Sequence, residues 1–282
     1  MKADRLRLMF VLAHPDDETL GMGGAIARYA AEGVETYLVT ATRGEKGWFG
    51  APEAYPGPEA LGRIREAELR AAAGVLGLRD VHFLDYIDGE LDEADHDEAI
   101  GKIVQRIREV RPHVVATFAH DGLYGHPDHI AISQFTTAAV VAAADPTYPA
   151  GGSVPHRVAK LYYRAMHNDD VARYERAFGE LVMEIDGIER RSPGWEPWVI
   201  TTHVDAQDHW RRVWQAVQQH RSQLPAYERL RELPEDFHRD MWGKQTYYRV
   251  FSTVNGGRAL ETDFFAGLRQ PRSISEPEST FA

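Results

Sequence analysis

The sequence predicts an α/β protein built on a doubly wound, mostly parallel sheet. Short apolar runs recur at residues 6–12, 34–41, 81–84 and 114–118, the pattern of strands buried on both faces. Between them lie segments whose apolar residues fall at helical spacing. The alternation continues to residue 144, which favours successive crossover units over separate blocks of strand and helix.

The first strand (6–13) carries Leu6, Leu8, Met9, Phe10, Val11 and Leu12. A helix is predicted over about 18–32, with Leu20, Met22, Ile26, Ala27, Tyr29 and Ala30 on one side, and Gly33 turns the chain into the second strand (34–41). Gly21, Gly23 and Gly24 do not form G-x-G-x-x-G and fall inside the helix, so close packing explains them better than a dinucleotide site. Residues 42–62 make a long loop leaving the carboxyl end of that strand, where Trp48, Phe49 and Tyr55 offer an apolar wall for a substrate ring or pack on their own loop. The next helix (61–76) has Leu61, Ile64, Leu69, Ala72, Ala73 and Leu76 on one face; Arg63, Arg65, Glu66 and Glu68 lie elsewhere, as a solvated ion-pair surface would. A third strand (81–84) ends in a loop containing Asp88, a helix spans about 96–109, and Pro112 leads into the fourth strand. This is a Rossmann-like core over residues 1–145. Pro146, Pro149, Gly151 and Gly152 mark a boundary. Beyond it, strands at 159–166, 198–203 and 247–252 and an amphipathic helix at 205–222 predict an α+β elaboration over 146–270, packed on the same domain, with residues 271–282 a frayed tail.

Composition narrows the function. A net charge of -11 argues against a nucleic-acid partner. The absence of cysteine removes disulfides, thiolate nucleophiles and Cys-ligated zinc, whereas 13 histidines leave a His/carboxylate metal site feasible. The first apolar run is too short to span a bilayer and runs straight into charged residues, so it reads as a strand and the expected location is the cytoplasm. Oligomeric state is not legible; a homo-oligomer is compatible with the sequence.

The chemistry concentrates in two strand ends. Ala13-His14-Pro15-Asp16-Asp17-Glu18 follows the first strand, and Tyr124-Gly125-His126-Pro127-Asp128-His129 follows the fourth. Proline and acidic residues open many helices for capping reasons alone. Two distant strand ends that both finish in His-Pro-Asp are instead expected to be halves of one site, because open α/β sheets bind ligands at the carboxyl ends of their strands. A catalytic zinc site takes three protein ligands and keeps a position for water. His14 and Asp17 supply two and either His126 or His129 the third; spacing alone chooses neither between those histidines nor between Asp16 and Asp17. An uncoordinated neighbouring carboxylate is placed to act as general base. No phosphate cradle, serine elbow or H-E-x-x-H is present, which leaves metal-assisted hydrolysis.

The two motifs together resemble the LmbE-like family of metal-dependent deacetylases, which includes N-acetylglucosaminylphosphatidylinositol de-N-acetylases and deacetylases and amidases of bacterial glucosaminyl-thiol metabolism. The similarity covers roughly residues 6–145; in the second half only His220-Arg221-Ser222-Gln223 and Glu261-Thr262-Asp263 match. The resemblance implies His14, Asp17 and His129 as Zn2+ ligands (Fe2+ or another divalent ion being compatible) and Asp16 as general base. It further implies His126 as oxyanion stabiliser or acid, Asp128 tuning the charge of His126, Tyr124 polarising the carbonyl, and Arg65 approaching the substrate's polar groups; Trp48 and Asp88, on loops of the same side, are further substrate candidates. The implied reaction is removal of an N-acetyl or similar acyl group from a small glucosamine-type conjugate by attack of metal-bound water. Hydrolysis of another bond (a thiol-conjugate amide or a phosphoester) and a binding module with a structural metal are the competing readings.

Overall fold

The computed structural model describes residues 5–185, 187–257 and 259–269; the predicted tail at 271–282 lies outside them. Five parallel strands form the core of the sheet: β1 (Arg7–Leu12), β2 (Glu35–Thr42), β3 (Asp80–Tyr86), β4 (Val114–Phe118) and β5 (Lys160–Arg164). Two antiparallel strands, β8 (Thr202–Asp205) and β9 (Lys244–Ser252), extend it, giving the order β3-β2-β1-β4-β5-β9-β8. A separate hairpin is formed by β6 (Val182–Ile185) and β7 (Ile188–Arg191). The helices are α1 (Asp17–Leu20), α2 (Gly23–Ala31), α3 (Pro58–Leu76), α4 (His96–Val110), α5 (Gly122–Gly125, a single turn), α6 (Pro127–Ala142), α7 (Asn168–Phe178), α8 (Trp210–Val217) and α9 (Glu235–Gly243). The doubly wound, mostly parallel architecture is therefore present.

Leu8 through Ala13 and Val114, Val115 and Ala116 are all fully buried, as a central strand pair covered on both faces requires. The strand order reverses direction between β1 and β4, which pair directly through Leu8–Val114, Met9–Val115 and Phe10–Ala116. That reversal opens a crevice at their carboxyl ends. The turns leaving β1 and β4 carry the two His-Pro-Asp motifs.

Three elements differ from expectation for identifiable reasons. The helix predicted over 18–32 breaks into α1 and α2 because the Gly21 carbonyl is taken by Arg164 Nε (3.0 Å) and Gln245 Nε2 (3.2 Å), side chains from β5 and β9. The helix predicted over 205–222 is regular only across α8; its end bends so that His220 and Ser222 reach Glu18 and Glu68. The strand predicted at 198–203 starts later, as β8, where Thr202 pairs with Tyr247. The glycines of α2 do serve close packing: a Cβ on Gly24 would stand 2.2 Å from the Trp242 carbonyl oxygen and one on Gly23 2.7 Å from Val213.

Candidate metal centre

His14 and Asp17 lie on the turn after β1, with backbone N–H groups of Ala13 and His14 donating to Asp17 Oδ2 (3.2 and 2.8 Å) and fixing that carboxylate. From the other strand end, α6 starts at Pro127 and presents Asp128 and His129 inward, both buried. The two halves meet. His14 Nδ1 stands 3.2 Å from His129 Nε2, Asp17 Oδ1 is 3.3 Å from His129 Nε2, and Asp17 Oδ2 is 3.7 Å from His14 Nδ1.

The outer nitrogens decide what those inner ones can do. His14 Nε2 lies 3.0 Å from Asp128 Oδ2 and 3.2 Å from Asp88 Oδ1; an ionised carboxylate only accepts, so Nε2 carries the hydrogen. His129 Nδ1 lies 3.2 Å from the Gly122 carbonyl, which likewise accepts only, and the His129 ring stacks on Phe118 at 4.0 Å. With both outer nitrogens donating, two lone pairs face each other across 3.2 Å beside a carboxylate. Such an approach is favourable only with a proton or a cation between them. Two nitrogens bound to one tetrahedral zinc at about 2.0–2.1 Å stand about 3.3 Å apart, so the donor set fits a divalent ion. Burial lowers the basicity of His14, but Asp128, Asp88 and Asp17 outweigh it and raise its pKa to about 10. Burial raises the Asp17 pKa, yet His129 and His14 hold it well below the usual carboxylate range.

Two further triads of donor atoms lie within 4.8 Å of one another: His14, His126 and His129, and His14, Asp88 and Asp128. The His126 Nδ1 accepts the Asp128 backbone N–H at 3.2 Å. In the neutral ring its hydrogen therefore sits on Nε2, a donor and not a lone pair. Burial and the neighbouring charges of His14 and His129 lower its pKa to about 3. Asp16 differs from Asp17 in a comparable way. Its Oδ2 receives Tyr227 OH (2.8 Å) and Arg65 Nη2 (3.2 Å), while burial raises its pKa against the pull of Arg65. It adopts φ 111°, a costly conformation for a non-glycine residue that turns the carboxyl away from the helix it precedes. Tyr124 sits beside His126 and His129 at ring distances of 6.0 and 5.4 Å.

The chain is 35% identical over 303 residues to the 1D-myo-inositol 2-acetamido-2-deoxy-alpha-D-glucopyranoside deacetylase of Thermobispora bispora, covering 94% of this chain and 99% of that relative. Residues 9–140 match the family model described as PIG-L: GlcNAc-PI de-N-acetylase. The chain belongs to the PIG-L family. It is an N-deacetylase of the LmbE-like type, and that family's activity is metal-dependent. Among solved structures, a conserved protein of Thermus thermophilus is similar at TM-score 0.63 and 28% identity, covering 89% of this chain and 97% of that one. The fold is also shared with the N,N'-diacetylchitobiose deacetylase of Pyrococcus horikoshii at TM-score 0.65 and 20% identity, covering 88% and 84%.

Within this PIG-L chain, Arg65, Trp48 and Asp88 each have partners inside the protein. Arg65 is buried, its guanidinium donating to the Gly44 carbonyl (2.9 Å), the Pro15 carbonyl and Asp16, so it braces the metal turn and faces no open space. Trp48 donates to the Ala51 carbonyl (3.1 Å) and packs on Tyr55, whereas its neighbour Phe49 lines the cavity beside the metal centre. Asp88 faces His14 and accepts from Lys46 N–H (3.0 Å). The Asp128 carboxylate, whose charge pulls the His126 pKa up against burial, is aimed at His14 and held by the Gly89 and Leu91 N–H groups (2.7 and 3.1 Å), while its backbone N–H donates to His126.

Sequence reasoning missed Tyr227 and the purpose of the 220–223 turn. His220 pairs with Glu18 at 2.7 Å with both fully buried, and Glu18 also accepts the Asp16 N–H at 2.9 Å. Ser222 donates twice to Glu68, and Gln223 donates to the Gly47 carbonyl. The signal was present as His220-Arg221-Ser222-Gln223, but nothing in its spacing says which turn it supports.

Proposed function

We propose that this chain is a zinc-dependent hydrolase that removes the acyl group from a small N-acetylglucosaminyl conjugate, with His14, Asp17 and His129 as ligands. The reading rests above all on the facing nitrogens of His14 and His129, whose outer hydrogens are committed elsewhere. Its substrate class follows the relative from Thermobispora bispora, whose name specifies an N-acetylated glucosaminyl inositol. Bound zinc supplies Lewis acidity, polarising the amide carbonyl and bringing the pKa of water to about 7. Asp16, with Oδ2 occupied by Tyr227 and Arg65, keeps Oδ1 to receive the proton of the attacking water. Tyr124 and the Nε2–H of His126 donate to the oxygen on which negative charge develops. Asp16 then returns its proton to the nitrogen as the C–N bond breaks, so water and amide yield carboxylate and amine. Asp128 and Asp88 act through His14, fixing its ring so that Nδ1 points inward.

Among the described residues no helix is long and apolar enough to cross a membrane. A small, polar substrate of the kind named for the Thermobispora bispora relative supports a cytoplasmic site of action. The experiment is release of free amine from 1D-myo-inositol 2-acetamido-2-deoxy-alpha-D-glucopyranoside and simpler N-acetylglucosamine glycosides by the zinc-loaded protein. Amine should appear in step with acetate and stop on chelation. Turnover that persists at full rate after complete metal removal would overturn the reading.

A further inference from the structure

Asp16 holds a left-handed backbone angle, φ 111°, which a non-glycine residue keeps only where its surroundings over-determine it. Its carboxyl oxygen Oδ2 is held by Tyr227 and Arg65, and its main chain is held separately. The Asp16 carbonyl accepts the Thr19 and Leu20 N–H groups, as the start of any helix would. The Asp16 N–H instead donates to a side chain, Glu18 Oε2, at 2.9 Å. Glu18 is fully buried, and a carboxylate there is stable only when it is paired. Its partner is the equally buried His220, whose Nε2 stands 2.7 Å from Glu18 Oε1. The other ring nitrogen of His220, Nδ1, is buried with no hydrogen-bond partner among the described residues. Leaving such an atom unpaired costs free energy, so the imidazole is committed to Glu18 alone.

The turn that carries His220 is itself anchored. The Ser222 N–H and hydroxyl donate to Glu68 (2.8 and 2.7 Å), and Gln223 Nε2 donates to the Gly47 carbonyl (3.0 Å). Glu68 lies on α3 about one turn beyond Arg65, so the helix that braces the Asp16 carboxyl also seats the turn that braces its main chain. Asp17 is held differently, by the Ala13 and His14 N–H groups and the imidazoles of His14 and His129, all from the two strand-end motifs. From this we infer that His220 is a positioning residue for the general base. Through Glu18 it locks the Asp16 main chain in the angle that aims its carboxyl, and it does so without supporting the metal ligands. The inference rests on the reading of Asp16 as general base, and adds that a residue 202 positions beyond Glu18 sets the aim of that base.

The test uses the zinc-loaded full chain, its metal content and amine release from 1D-myo-inositol 2-acetamido-2-deoxy-alpha-D-glucopyranoside. His220→Leu should keep near-stoichiometric zinc and an unchanged KM while kcat falls by about 10–100-fold, the scale of a small misplacement of a reacting group. His220→Gln, whose amide N–H can stand where the imidazole Nε2–H stood, should return kcat to near the wild-type value. In an Asp16→Ala background His220→Leu should lower the residual rate no further, because the group it positions is gone. Crystals of His220→Leu read the same point without turnover: Asp16 should leave its left-handed angle while Asp17, His14 and His129 stay in place. Should His220→Leu fail to fold, His220→Asn, whose amide falls short of Glu18, takes its place with the same expectations. An unmoved Asp16, full kcat in the folded variant, zinc lost together with kcat, or an equal fold-loss with and without Asp16 overturns the positioning role and leaves the general-base reading standing. Wild-type kcat in Asp16→Ala alone overturns the general-base reading, and the positioning role with it.

Discussion

Among single residues, labour is divided between neighbours that look interchangeable in sequence. Asp17 has both oxygens turned to backbone N–H groups and imidazoles, whereas Asp16 has one oxygen tied to Tyr227 and Arg65 and lines the cavity beside the site. Asp17→Ala should therefore lose bound zinc as measured by metal analysis after dialysis. Asp16→Ala should keep near-stoichiometric zinc and lose turnover by roughly 10²–10⁴-fold, the usual contribution of a positioned base. Equal zinc in both variants, with activity surviving in Asp16→Ala, would refute the division. The same residues show what the motifs disclosed. His14, His129, Asp16, Asp17, His126 and Tyr124 all gather at the site as the paired strand ends implied, because a period of strand, turn and helix is visible in one dimension. Tyr227 was not legible: its hydroxyl matters only through a contact with Asp16, 211 positions away, and nothing local marks it.

One level up, the metal turn is held by the elements that pack behind it. α2 lies so close to α9 and the start of β9 that Gly24 has no room for a methyl group, its position being 2.2 Å from a backbone oxygen of Trp242. That neighbour is main chain and cannot rotate away. Gly24→Ala should cost about 1–3 kcal/mol, the range for forced overpacking, read as a lower urea midpoint with unchanged slope. A midpoint equal to wild type would mean that α2 stands further from α9 than described. The elements that sequence analysis placed well are those with a clear period: β1 to β4, α3 and α4, whose hydrophobic stripe (Ala99, Ile103, Val104, Ile107) is buried at helical spacing. Those it missed are short or polar. The β6–β7 hairpin buries little of its length, α7 opens with Asn168, Asp169 and Asp170, and α1 parts from α2 only because Arg164 and Gln245 capture the Gly21 carbonyl.

Across the whole molecule, the second half completes the sheet and is tied to it by a buried ionic knot. Glu261 accepts from Lys160 Nζ (2.8 Å), Tyr162 OH (2.6 Å) and Asn255 Nδ2 (2.6 Å), and Arg249 Nη1 stands 2.8 Å away. Burial raises its pKa, but Lys160, Tyr162 and Asn255 prevail and lower it from 4.5 to about 2. A carboxylate whose folded pKa is depressed contributes stability above its unfolded pKa and loses that contribution as pH falls. Wild-type stability should thus drop by about 3 kcal/mol between roughly pH 5 and pH 2 on account of this group. In Glu261→Gln the protein should be less stable at neutral pH, and that portion of the acid loss should be absent from its denaturation curves. An unchanged acid profile would show that the knot does not titrate as described. The Glu261-Thr262-Asp263 match supplied the residue without its partners, since Lys160 and Arg249 reach it from two strands whose antiparallel pairing no local period announces.

His14, Asp17 and His129 meet at one point in the crevice between β1 and β4. The most direct measurement is anomalous diffraction at the zinc absorption edge from crystals of the zinc-loaded protein. A single strong peak per chain is expected, about 2 Å from His14 Nδ1, His129 Nε2 and an Asp17 oxygen. A peak seated instead on the other side of the His14 ring, among Nε2, Asp88 and Asp128, or one that touches His126 and leaves His129 free, would contradict that assignment.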